Sequence, residues 1–548
     1  KKMDNARFVL FVFFSLLSVM LYQQWQQDYG PKPALTGAEV PGETASVPEA
    51  GKVASGKADA TTIKTDATAG SRKRIHVVTD VLSMDIDSLG GDVRVLDLSQ
   101  YPESKDAPEK PVRLLSDVEP LFIAQSGFAG DESNAPTHHT VWSIAADQYT
   151  LKEGVDELRV PLTWTNGKGV QVTKTYILHR GSYDIHLEQT VSNPSSGGTW
   201  TARQYVQLQR KDPGDKNKSQ FVRTYTGGVL YTPADKYQKI SFKDMAGSNL
   251  DSTSKDGWVA MIQHYFMAAW IPNPGEEDRF YTKALTDDHY VIGAITPEIE
   301  LAPGEKKTVT ARLYAGPKLQ RVLEATAPGL DLTVDYGALT LIAKPIFWLL
   351  EQFHKMFDNW GLAIILVTLS LKALFFRLSA SSYRSMANMR KLQPKLAELK
   401  ERFGADKQKL NQAMMEMYRK EKVNPLGGCL PILVQIPVFI SLYWVLIETV
   451  EMRQAPFMFW LTDLSSKDPY FVLPLLMGVS MFIQQKLSPP PADPMQAKIM
   501  QFFPLMFTGF FAFFPSGLVL YWVVNNLLSI LQQWYINKTI GAMTPAKA

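Results

Sequence analysis

Residues 361–378 read GLAIILVTLSLKALFFRL, and only Lys372 and Arg377 carry charge. A bilayer core about 30 Å thick needs roughly 20 apolar residues of helix, with a range of about 17–25. The stretch therefore reads as a membrane span. Lys372 makes it informative, because a cation in mid-span costs about 2.5–3.5 kcal/mol on insertion scales. Snorkelling is the plain explanation, since Lys372 lies only about 9 Å from position 378. Polar residues at similar depth elsewhere argue against a solitary snorkeller.

The runs 426–447, 469–487, 499–514 and 516–533 read as four further spans, and 8–22 makes six. Thr368 lies one turn from Lys372. Gln435 is about 14 Å into its run, and Asn525 is about 12 Å from Gln533. Tyr521, Asn525 and Ser529 share one face at i, i+4 and i+8. Three helices thus carry polar groups in one half of the bilayer, which predicts a hydrated cavity with one cation. Scattered interhelical hydrogen bonds would produce the same pattern. Positions 442–446 and 507–514 are strongly apolar, so a continuous pore is not expected.

The connection 379–424 holds 11 Lys+Arg against 5 Asp+Glu, whereas 449–468 holds Arg453 and Lys467 against Glu451, Asp463 and Asp468. The positive-inside tendency puts the first in the cytoplasm, the second outside, and both termini in the cytoplasm. Within 379–424, Met386, Met389, Leu392, Leu396, Leu399 and Phe403 draw one apolar stripe, resumed by Leu410, Met414 and Met417 after a break at 404–406. This predicts a helical hairpin with Pro394 kinking its first arm. Packing of two amphipathic helices explains the stripe. A sharper reading makes Met386, Met389, Met414 and Met417 a capture site for apolar clients, with lysines meeting anionic lipid or ribosomal RNA.

Residues 1–29 read as an N-terminal anchor and 30–72 as a flexible linker, too poor in apolar groups to offset ordering entropy. From 73 to 316 short alternating segments broken by Gly, Pro, Asn and Asp predict a large antiparallel β-sandwich, with 75–86 as one strand. Residues 317–360 connect it to the spans and include an amphipathic interfacial helix over 339–357. A cytoplasmic tail follows at 536–548. His138, His139, His179, His186 and His264 lack metal-ligand spacing and read as packed or surface histidines. One cysteine in 548 residues excludes an intramolecular disulfide framework, and the net charge of +3 argues against a general polyanion binder. No nucleotide-binding, zinc-protease or serine-hydrolase motif is present.

The motifs DLTVDYG (331–337), NPLGGC (424–429) with Pro431, Gln435 and Pro437, RQAPF (453–457), DPM (493–495), KIM (498–500) and FPSGLVLY (514–521) resemble the YidC family of membrane protein insertases. The long outer domain makes the chain similar to the Gram-negative bacterial form. The resemblance implies a multi-domain protein with six spans. It would have a five-helix insertase core, a periplasmic antiparallel β-supersandwich similar to mutarotase folds, and a cytoplasmic helical hairpin. It further implies a bacterial inner-membrane location with nascent membrane proteins as clients, the Sec translocon and ribosome as partners, and no cofactor, metal, small-molecule substrate or catalytic residue. On this resemblance Lys372 is the groove charge, a lysine where relatives usually carry arginine. Thr368, Gln435, Tyr521, Asn525 and Ser529 line the groove with it. Ile436, Pro437, Phe439, Phe510 and Trp522 match the client-contact slide. The rival readings are a transporter or channel, and an anchored sugar enzyme.

Overall fold

The computed structural model describes residues 72–542 except 132–133, 195, 197, 215–223, 405, 422–429 and 488–493. The anchor over 1–29 and almost all of the linker lie outside the described residues. The chain divides into two compact units, a β-rich one reaching to Pro317 with 323–330 added, and a helical one dominated by 331–548.

The β unit pairs an eleven-stranded sheet with a nine-stranded one. Alternation along Asp184–Ser192 shows why: Ile185, Leu187, Gln189 and Val191 are buried while their neighbours are partly exposed. This strand lies antiparallel between Gln171–His179 and Lys306–Pro317. Trp258, Trp270, Phe128 and Phe280 fill the core, and Trp270 Nε1 donates to the Gln207 carbonyl 3.0 Å away in the facing sheet. One short helix, Phe242–Gly247 (α1), is closed by a capping box between Ser241 and Asp244.

The segment 75–86 is not one strand. It is the antiparallel pair Arg74–Val78 and Leu82–Asp87. Thr79 Oγ1 accepts from the Val81 and Leu82 amides at 3.3 and 3.0 Å, closing a turn that apolar alternation alone does not reveal.

In the helical unit come Gln320–Thr326 (α2, shared at the boundary), Thr340–Phe357 (α3), Trp360–Leu374 (α4), Phe376–Lys391 (α5), Gln393–Phe403 (α6), Lys407–Lys420 (α7), Leu430–Glu448 (α8), Val472–Leu487 (α9), Pro494–Phe511 (α10) and Ser516–Ala542 (α11). The run read as a span over 361–378 breaks at Phe375, and α4 and α5 meet at 68°. Gln532 Nε2 donates to the Phe376 carbonyl at 3.2 Å, giving the break a partner. Among the described residues no single helix is long and apolar enough to cross a membrane, while α4 and α5 together pass that test.

Pro394 does not kink a continuous arm. The helix ends at Leu392, and Pro394 sits in the first turn of α6, where its missing N–H costs nothing. α11 also runs on through Ala542, into the stretch read as a tail. Only 543–548 of that stretch lie outside the described residues.

Candidate functional site

Of the polar residues singled out along α4, α8 and α11, all but Ser529 line one cavity; Ser529 is buried beside it and meets it through Lys372. Thr368, Lys372, Gln435, Tyr521 and Asn525 line it together with apolar Leu371, Val434 and Val438. It encloses about 400 Å³, counting the solvent at its mouth. Each helix contributes through its own periodicity: Thr368 and Lys372 are one turn apart, as are Tyr521, Asn525 and Ser529.

The hydrogen bonds are directional. Lys372 Nζ donates to Ser529 Oγ at 2.8 Å, and Ser529 Oγ donates onward to the Asn525 carbonyl at 2.7 Å. Gln435 Nε2 donates to Asn525 Oδ1 at 2.5 Å and reaches Tyr521 OH at 3.5 Å. Thr368 Oγ1 instead donates to the Ile364 carbonyl of its own helix at 2.7 Å. Among the described residues no carboxylate lines the cavity with Lys372. The hydrogen-bond acceptor of Lys372 is thus a neutral hydroxyl.

At the Ser516 end of α11, the connection between α8 and α9 folds across the bundle. The Ser516 amide donates to the Ser466 carbonyl at 2.7 Å, and the Gly517 amide to the Leu464 carbonyl at 3.0 Å. Leu461 and Leu464 are buried there.

The residues matched to the client-contact slide are only partly gathered. Phe439 meets Trp522 edge-on at 4.5 Å, and Trp522 lies 5.5 Å from Phe511. Ile436 and Pro437 are half-buried on α8, and Phe510 is exposed on α10. Of the four methionines, Met386 packs back against Ala380, Tyr383 and Ile536. Met389, Met414 and Met417 are half-buried on α5 and α7, while Met415, not singled out by the sequence, is exposed.

Two buried polar arrangements escaped the sequence reading. In the helical unit Lys318 Nζ lies 3.2 Å from the Thr333 carbonyl and 3.4 Å from Glu448 Oε2. In the sandwich Lys174 Nζ donates to the Gly90 and Ser126 carbonyls at 2.7 and 2.9 Å. Burial pushes the Lys174 ammonium down to about 8 and the Asp92 carboxyl up to about 6, each charge opposing the other's shift. Gly90, at φ +81°, is required here, since a Cβ would come within 2.6 Å of the His138 carbonyl. Nothing local marks either arrangement, because the partners are far apart in the chain.

Of the five histidines singled out by the sequence only His138 is buried; His139 is exposed, and His179, His186 and His264 are partly so. His138 Nδ1 lies 2.6 Å from Tyr205 OH, and burial lowers its pKa to about 3. Among the described residues no group of three or more His, Cys, Asp or Glu side chains is arranged to hold a metal.

The chain matches the family description "YidC periplasmic domain" over residues 74–349 and "60Kd inner membrane protein" over 352–543. It is 64% identical to the membrane protein insertase YidC of Methylococcus capsulatus, over 99% of each chain. Identity to the insertase of Thioalkalivibrio sulfidiphilus is 50%, over 98% of this chain and 99% of that one. To that of Nitrosococcus oceani it is 49% over the same shares. With two thirds of its residues shared with one full-length relative and about half with the others, this chain belongs to the YidC family of membrane protein insertases, proteins of the inner membrane with a periplasmic β-sandwich domain.

Proposed function

We propose that nascent membrane proteins enter the bilayer through the Lys372 cavity. The observation that carries this reading is a cavity on which Lys372, Gln435 and Asn525 converge among apolar neighbours, with no carboxylate among its described lining residues. A short hydrophilic client segment exchanges water for Lys372, Gln435 and Asn525, which shortens the apolar barrier it must cross. The client's apolar helix then partitions into lipid past Ile436, Pro437, Phe439, Phe510 and Trp522, driven by burial at about 25 cal/mol per Å². Acidic segments gain about 2.3 kcal/mol per charge per 100 mV of membrane potential. No nucleotide is needed.

In this reading the chain crosses the membrane six times, with both termini and the α5–α7 hairpin in the cytoplasm and the sandwich in the periplasm. The hairpin captures clients delivered by ribosomes, its lysines lie near anionic lipid, and the insertase works alone or beside the Sec translocon. Photo-crosslinking of a stalled nascent chain to positions 436 and 510 tests the reading. Adducts at both positions are expected. Absence of adducts, or ion flux through client-free proteoliposomes, would favour the channel reading instead.

A further inference from the structure

The connection between α8 and α9 is a rigid loop with two unlike sides. Its inner side buries Met452, Ala455, Leu461 and Leu464. Two carboxylates hold its shape. Asp463 accepts from the Gln454 amide at 3.1 Å and from the Ser465 amide and hydroxyl at 2.8 and 2.7 Å. Asp468 accepts from Trp460 Nε1 and the Tyr470 amide at 3.0 Å each, and from the Leu473 amide at 2.7 Å.

The outer side turns large apolar groups away from the bundle. Phe459 is 84% exposed and Tyr470 67%, with Met458 and Phe471 exposed beside them. Phe459 and Phe471 hold φ at +54° and +57°, a region bulky residues seldom occupy. Such a backbone persists only where surrounding bonds enforce it, and the two carboxylates do so here. The loop is thus built to present aromatic rings outward.

The nature of the partner follows from composition and continuity. Tyr470 combines an apolar ring with a polar tip, the chemistry that favours the boundary between hydrocarbon and headgroups, beside the exposed ring of Phe459. Lys467, exposed on the same loop, suits lipid phosphate. The patch also continues along the chain into exposed Leu475, Leu476 and Val479 of α9, an apolar face of lipid-like character.

We propose that this aromatic edge inserts into the headgroup region of the outer leaflet and anchors the Ser516 end of α11 to lipid. The inference rests on the proposed orientation of 449–468 outside the cytoplasm. Insertion through Lys372 is read separately by client crosslinking, so failure of one is distinguishable from failure of the other.

The test uses the full chain with Cys429→Ser and a single new cysteine, at Phe459→Cys, Tyr470→Cys or Ser466→Cys. Each carries an environment-sensitive fluorophore in vesicles of phosphatidylethanolamine and phosphatidylglycerol. Labels at 459 and 470 are expected to shift to the blue and to lose fluorescence to lipids carrying a nitroxide near the headgroup. The label at 466 should instead be quenched by aqueous iodide. Equal iodide quenching at all three positions would overturn the proposal. So would iodide access at 459 that vanishes only when a partner membrane protein is added, which would mark a protein interface. Retained client insertion by each labelled chain shows that it is folded.

Discussion

Lys372 on α4 is held by Ser529 on α11, Nζ to Oγ at 2.8 Å, across 157 positions of sequence. The cation is therefore held by a hydroxyl rather than by a carboxylate, and in the proposed function its charge is what an acidic client segment meets. Ser529→Ala removes that acceptor, and a hydrogen bond to a charged group is worth about 1.5–3 kcal/mol. A several-fold slower insertion of acidic-tailed clients into proteoliposomes is expected, with Ser529→Thr restoring the rate. An unchanged rate in the alanine variant would show that Lys372 does not need to be aimed.

Charge and shape at position 372 separate by substitution. Lys372→Ala should impair acidic-tailed clients more than Ser529→Ala does, while Lys372→Arg should keep activity because the charge persists on a side chain of similar reach. Complementation in a depletion strain reads both. Equal growth with alanine and lysine would exclude a required charge.

Gly361 opens α4 beneath Phe457, and a Cβ placed there would lie 2.1 Å from the Phe457 ring. Overpacking of this kind costs about 1–3 kcal/mol. Gly361→Ala should lower the unfolding midpoint of the helical unit in detergent, and Phe457→Ala added to it should recover part of the loss. Equal midpoints for Gly361→Ala and the parent would mean that the ring moves freely.

Lys318 and Glu448 are 2% and 6% exposed in their side chains, so each charge depends on the other and on nearby carbonyls. Breaking a buried pair by removing one partner costs about 3–5 kcal/mol, whereas replacing both by apolar groups is often neutral. Lys318→Met alone should destabilise strongly, and Lys318→Met with Glu448→Leu should lie near the parent. Chemical denaturation of the four proteins gives the coupling directly.

His138 is neutral in the folded sandwich, because burial lowers its pKa to about 3 against an ordinary 6.5. The unfolded chain takes up a proton between these values and the folded chain does not. His138 therefore contributes a stability that falls with acidification from about pH 6.5 towards 3, by up to about 1.4 kcal/mol per pH unit. Asp92 and Asp278, whose carboxyls burial pushes up to about 6 and 7, act in the opposite direction over part of this window. The difference between parent and His138→Gln isolates the histidine: their stabilities should converge as the pH falls. A gap that stays constant from pH 7 to 4 would refute the assignment.

Removing 393–420 excises α6 and α7 while sparing Met386, which packs into the core cluster with Tyr383 and Ile536. Loss of early client crosslinks with an intact core is expected if the hairpin captures clients. Undiminished crosslinks would remove it from the pathway.

Much was legible in the sequence because it is local. Length and apolarity separate the helical part from the strand-rich part. Helical spacing puts Tyr521, Asn525 and Ser529 on one face and Thr368 beside Lys372. The motifs from 331 to 521 carry the family. What only the tertiary structure decided depends on contacts between distant residues. The acceptor for Lys372, the break at Phe375, the return of Met386 to the core and the Lys318–Glu448 pair all lie here. A side chain's periodicity states which way it faces, whereas its partner is set by whichever helix packs opposite, and that is a property of the folded whole.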